Sequence, residues 1–122
     1  LARKNSHSYS MFRSDSNEDG VVDATTTQNS SFNPTDVSQV DKATIHVVFS
    51  AANSGAFSVW AKNSLNDTYF ELDFGAPLTL TAETECLIDL QQLDFQFIYL
   101  NWAPTAGAGT FTAILHMASL GA

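Results

Sequence analysis

The sequence predicts an all-β protein: an antiparallel β-sandwich, jelly-roll-like or Ig-like, of about seven or eight strands with an extended N-terminal arm. Three observations predict it. Apolar and polar residues alternate along run after run, turn-forming residues return every ~8–12 positions, and no stretch carries a helical period. Nine Phe residues among 122 point the same way, because aromatic and β-branched side chains suit a pleated, half-buried surface. The length is that of one domain, and an apolar fraction of 44% is enough to build a core.

Residues 1–27 are rich in Ser, Asn and Asp without sustained periodicity. They read as an extended polar and basic arm, with a short strand at Val21 to Ala24; residues 28–122 form the sandwich domain. Within the arm, Asp15, Asn17 and Asp19 precede Gly20 and Val22 with the spacing that opens a calcium loop. The position where such a loop carries a bidentate acid holds Thr26, and Asp-Ala-Thr-Thr-Thr-Gln is poor helix material. The segment therefore reads either as a calcium site or as an Asp-Gly turn leading into a strand.

Gln28 to Val40, interrupted by Pro34, reads as an edge strand or loop. From Asp41 to Ser50, Ala43, Ile45, Val47 and Phe49 share one face, with Thr44, His46, Val48 and Ser50 on the other. Ala51 to Gly55 is a small-residue turn, after which Phe57, Val59 and Ala61 point inward and Ser58, Trp60 and Lys62 outward. The two runs are expected to pair as a hairpin. Phe70, Leu72 and Phe74 then alternate with Tyr69, Glu71 and Asp73. Gly75 and Pro77 end that run, and Leu78 and Leu80 mark a short further strand.

The longest apolar runs lie between Thr84 and Ala118. Cys86, Ile88 and Leu90 share a face; Ile98, Leu100 and Trp102 oppose Phe95, Phe97 and Tyr99; Phe111, Ala113, Leu115 and Met117 alternate with Thr112, Ile114, His116 and Ala118. A small-residue loop from Pro104 to Gly109 predicts a hairpin between the last two strands. Both of those strands are apolar on both sides, so one face fills the core. The other is expected to lie under the arm or against another subunit.

Charge is low, 15% of residues, and uneven. Arg3, Lys4 and Arg13 fall in the first thirteen residues, which hold no acid, while all thirteen acids follow, giving a net charge of −8. An acidic body repels phosphates, which argues against nucleic-acid binding. The basic arm either lies on an acidic partner or on the body of an identical neighbour, or is a solvated tail. No run reaches membrane-spanning length.

Little in the sequence predicts catalysis. His7 lies in the arm, and His46 and His116 sit in mid-strand rather than on loops, as packed or surface residues. Glu71 and Asp73 are spaced as a carboxylate pair, with a solvated strand face as the simpler reading. The single Cys86 excludes an intramolecular disulfide and reads as a structural thiol. Trp60, Tyr69 and Tyr99, on polar-facing positions, are candidates for stacking on sugar rings or on a partner.

The segments GAFSVWAKN from Gly55, YFELDFGAPLTL from Tyr69, LIDLQQLDFQFIYLNW from Leu87 and PTAGAGTFTAILHMASLG from Pro104 resemble small virion structural proteins of tailed bacteriophages. The resemblance covers residues 43–121 and rests on strand and turn patterns. It implies a β-sandwich placed on a capsid or tail, without catalysis, and no cofactor is expected. The expected function is a non-enzymatic virion component, foremost a capsid decoration (cement) protein. It would bind the major capsid or tail protein and its own copies, through Arg3, Lys4, Arg13, Trp60, Tyr69 and Tyr99. The second expectation is a carbohydrate-binding module of a tail or fibre.

Overall fold

The computed structural model describes residues 3–64, 66–74, 78–90 and 93–121. They form nine strands, β1 (Arg3–Ser10), β2 (Val22–Asp23), β3 (Gln28–Asn29), β4 (Thr35–Asp36), β5 (Lys42–Lys62), β6 (Phe70–Glu71), β7 (Leu78–Leu90), β8 (Phe97–Ala106) and β9 (Thr110–Gly121). A 3-10 turn at Ser30–Phe32 interrupts them. The fold is all-β, and every pairing is antiparallel within one nine-stranded sheet, where the sequence predicts seven or eight strands.

The strands fall into four long lines. β5 is one line; β8 and β9 run end to end along one side of it, opposite Lys62 to Ser54 and then Phe49 to Lys42. β6 and β7 run along its other side. The N-terminal strands β1 to β4 follow the far edge of the β8–β9 line, from Arg3 opposite Gly121 to Asp36 opposite Phe97. The segment expected to be an arm thus contributes β1 and β2 to the sheet. Met11 and Phe12, directly after β1, are fully buried, and Phe12 meets Phe111 edge-on at 5.5 Å.

Neither expected hairpin forms. Ala51 to Gly55 lies inside β5, and β8 pairs with β5 rather than with β9. Both small-residue stretches are bends, and they lie side by side. A strand that bends frees backbone groups as a turn does, and short polar side chains satisfy them across the crease. The buried Asn53 donates to the Ala51 and Ala108 carbonyls (3.0 and 2.8 Å) and accepts from the Ala108 N–H (2.8 Å). Ser50 Oγ accepts from the Thr110 N–H, and Ser54 Oγ from the Ala82 N–H, both at 2.9 Å. Gly109, at φ +69°, sits where a Cβ would meet Ser50 Oγ at 2.2 Å. β7 bends at the same line, with Ala82 in the left-handed region at φ 51°. That conformation costs an L-residue about 1–2 kcal/mol. Ala82→Gly is therefore expected to stabilise the fold by about 1 kcal/mol, read as an upward shift of the denaturation midpoint.

The crease wraps the sheet around its core. The alternation predicted along β5 holds on both sides of the bend: Ala43, Ile45, Val47 and Phe49, then Phe57, Val59 and Ala61, are buried. Ile88, Leu90, Ile98, Leu100, Trp102, Phe111, Ala113 and Leu115 complete the interior as their spacing predicts. Inside the crease, Trp102 lies 4.6 Å from Phe57, 5.2 Å from Phe49 and 6.1 Å from Phe111, ring to ring. Its indole N–H donates to the Ala24 carbonyl at 3.0 Å, tying the N-terminal line to the core.

Candidate functional site

The outer face of the second half of β5 carries the densest group of chemically informative side chains. Strand register sets it up. Trp60 lies directly between Glu71 on β6 and Tyr99 on β8, and Ser58 lies opposite Asn101, which in turn faces Asn29 on β3. Lys62 lies opposite Phe97. Cross-strand partners share a face, so an aromatic row runs beside a hydroxyl and amide row.

Three of the predicted residues meet here. The Trp60 and Tyr99 rings are parallel within 4°, with centroids 6.2 Å apart. Tyr69 packs edge-on against Tyr99 at 4.6 Å. The Lys62 ammonium sits 4.6 Å above the Tyr69 ring and 5.8 Å from that of Phe97, so the cation–π position at this cluster is filled by the chain itself. The Trp60 indole N–H donates to Ser58 Oγ at 3.1 Å, which fixes the ring's orientation. Burial raises the Tyr69 phenol above its usual range, keeping it a neutral donor at physiological pH.

Next to the aromatic row an open groove of about 600 Å³ is lined by Ser58, Glu71, Asp73, Asn101, Ala103 and Phe74, among others. Asn29 donates to Asn101 Oδ1 at 3.2 Å, leaving the Asn101 NH₂ as a donor. Sequence alternation places Ser58 beside Trp60 and Glu71 beside Asp73. It misses Asn101 as their neighbour, because pairing partners across strands are not written in any one strand.

The basic candidates lie elsewhere. Arg3 and Lys4 are at the start of β1, paired with Gly121 and Leu120, and their side chains lie outside the described residues. Arg13 is exposed just after the buried Met11 and Phe12. The acidic loop is a tight turn: Ser14 and Asn17 exchange backbone hydrogen bonds at 2.9 and 3.0 Å. The Asn17 side chain accepts from the Gly20 N–H and donates to the Val21 carbonyl, both at 3.1 Å. Asn17 is thus committed to the turn, and among the described residues no three His, Cys, Asp or Glu come together to hold a metal ion.

On the outer face of the other half of the sheet, Ser8 Oγ lies 2.8 Å from His116 Nδ1, and His46 pairs with Glu85. The two rings are 6.4 Å apart. Both pairs are exposed or half-exposed, so neither contributes much to stability. Cys86 faces inward, half-buried. Burial, and secondarily the Glu83 carboxylate, push its thiol up, so it stays protonated and unreactive at neutral pH. Among the described residues no helix is long and apolar enough to cross a membrane. No family model, curated protein or solved structure matches the chain.

Proposed function

We propose that this chain is a non-enzymatic structural subunit of a bacteriophage particle, most specifically a capsid decoration protein that binds the shell and its own neighbours. The observation that carries this reading is the outer face around β5, β7 and β9. There Leu87 and Val48 are 65% and 44% exposed, beside His46, Ile114 and Thr112 in the register. Apolar side chains left exposed on a sheet face, here bordered by Glu85 and Asp89, suit a protein that works packed against others. The fold-over of one sheet around a shared core supports the finer description of a sandwich, jelly-roll-like or Ig-like. The partners are a major capsid or tail protein and further copies of the chain, on the virion, with neither nucleic acid nor membrane engaged directly.

Deleting the first twenty residues would remove Met11 and Phe12 from the core, so the basic segment is better tested by charge. The triple variant Arg3→Gln, Lys4→Gln, Arg13→Gln is expected to fold normally and to co-sediment with particles at least about tenfold less well at low salt. Equal co-sedimentation would sink the part assigned to the basic segment. A second reading, a carbohydrate-binding module of a tail or fibre, is favoured by one observation: Trp60, Tyr69 and Tyr99 gather on one surface beside a groove.

A further inference from the structure

We infer that the groove beside Trp60 is a binding site for an uncharged pyranose, a unit of a neutral glycan. The inference rests on the second reading above and assigns its site and ligand class. A pyranose ring has an apolar face of C–H groups and an equatorial rim of hydroxyls, each both donor and acceptor. A matching site needs a flat aromatic surface to take the C–H face and, at its edge, mixed donors and acceptors in reach of the rim.

The outer face of β5 and β8 presents that combination in two adjacent rows. Trp60 and Tyr99 are half-exposed and parallel, and the Trp60 ring is held by its bond to Ser58 before any ligand arrives. One strand step away, Ser58 and Asn101 face each other, and Asn101 is held by Asn29 with its NH₂ as a donor. Glu71, directly beside Trp60, and Asp73 line the same groove with carboxylate acceptors. The volume of about 600 Å³ lies within the ~300–1,000 Å³ of small-molecule sites.

Charge selects among ligands of this shape. Carboxylates line the groove of a chain whose net charge is −8, and the nearby Lys62 lies over Tyr69 and Phe97. Uronates, sialylated chains and sugar phosphates meet repulsion there.

Tryptophan fluorescence isolates the site, since Trp60 is half-exposed and Trp102 fully buried. The intact chain is titrated with maltohexaose, cellohexaose, chitohexaose and mannohexaose, and with hexagalacturonate as the anionic probe. The expected result is a saturable change with at least one neutral hexamer and none with hexagalacturonate. Trp60→Ala is expected to weaken binding of the responding hexamer at least about tenfold, measured by calorimetry. Glu71→Gln, an exposed change that keeps shape, is expected to weaken it about three- to tenfold with an unchanged denaturation midpoint. Binding that both variants leave intact would overturn the site while sparing the carbohydrate reading. A response to hexagalacturonate alone would overturn the ligand class. A broad glycan array without any binding overturns both.

Discussion

Trp102→Ala is expected to destabilise the protein by about 3–5 kcal/mol, the range for deleting a fully buried large aromatic. Small domains have only ~5–15 kcal/mol in all. Trp102 does three things at once. It fills the space between Phe49, Phe57 and Phe111 inside the crease. It bonds the Ala24 carbonyl of the N-terminal line. It also lies so close to Gly55 that a Cβ there would meet the indole at 2.6 Å, so β5 can cross it only with glycine at that position. Trp102→Phe keeps a ring but leaves the Ala24 carbonyl unpaired and part of the space empty, for an expected loss of about 2 kcal/mol. Urea denaturation followed by far-UV circular dichroism measures both. A loss under about 1 kcal/mol for the alanine variant would mean that the crease does not close over this side chain.

Asn53→Ala is expected to cost about 2–4 kcal/mol, although it deletes only a small polar group. Asn53 is fully buried, and its three hydrogen bonds hold Ala51 and Ala108 where two long lines bend together. Alanine leaves the part-buried N–H and carbonyl of Ala108 without that partner, which costs more than the bonds return when present. Asn53→Asp gives a sharper test. It keeps the acceptor for the Ala108 N–H but sets a carboxylate oxygen against two carbonyls in a dry site. Burial and those carbonyls would raise the introduced carboxyl's folded pKa above its unfolded value of about 3.9. The stability would then be fullest below the unfolded pKa and would fall as pH rises through the folded one. The Asn53→Asp variant is thus expected to lie closest to the wild type near about pH 4 and furthest from it near about pH 7, in denaturant titrations at both. A pH-independent difference would contradict the bonding described for Asn53.

Alternation carried most of the fold. It placed the buried apolar side chains of β5 and β9 on the inner face, because a period of two is a property of the strand itself. It failed at Ala51 to Gly55 and at Pro104 to Gly109 for a physical reason. Small and short polar residues relieve backbone groups at any break in a ladder, whether the chain reverses or only bends. Asn53 and Ala108 find each other across 55 residues, and nothing local to either stretch says so. The first 27 residues were hard to place for a related reason. Met11 and Phe12 are two apolar residues in a polar run, too few to show a period, yet they fill the core. For the candidate surface, Trp60, Tyr69 and Tyr99 were legible as outward-facing aromatics. Their meeting, and the addition of Asn101, came from register.

The claim that this chain is a structural part of a phage particle is tested most directly by locating it there. Particles purified from the host that carries this sequence would be labelled with antibody and gold and imaged by electron microscopy. The account predicts dense, regular labelling over the capsid surface, with the protein retained through density-gradient purification. Particles that carry no label, with the protein left in the soluble lysate, would contradict it.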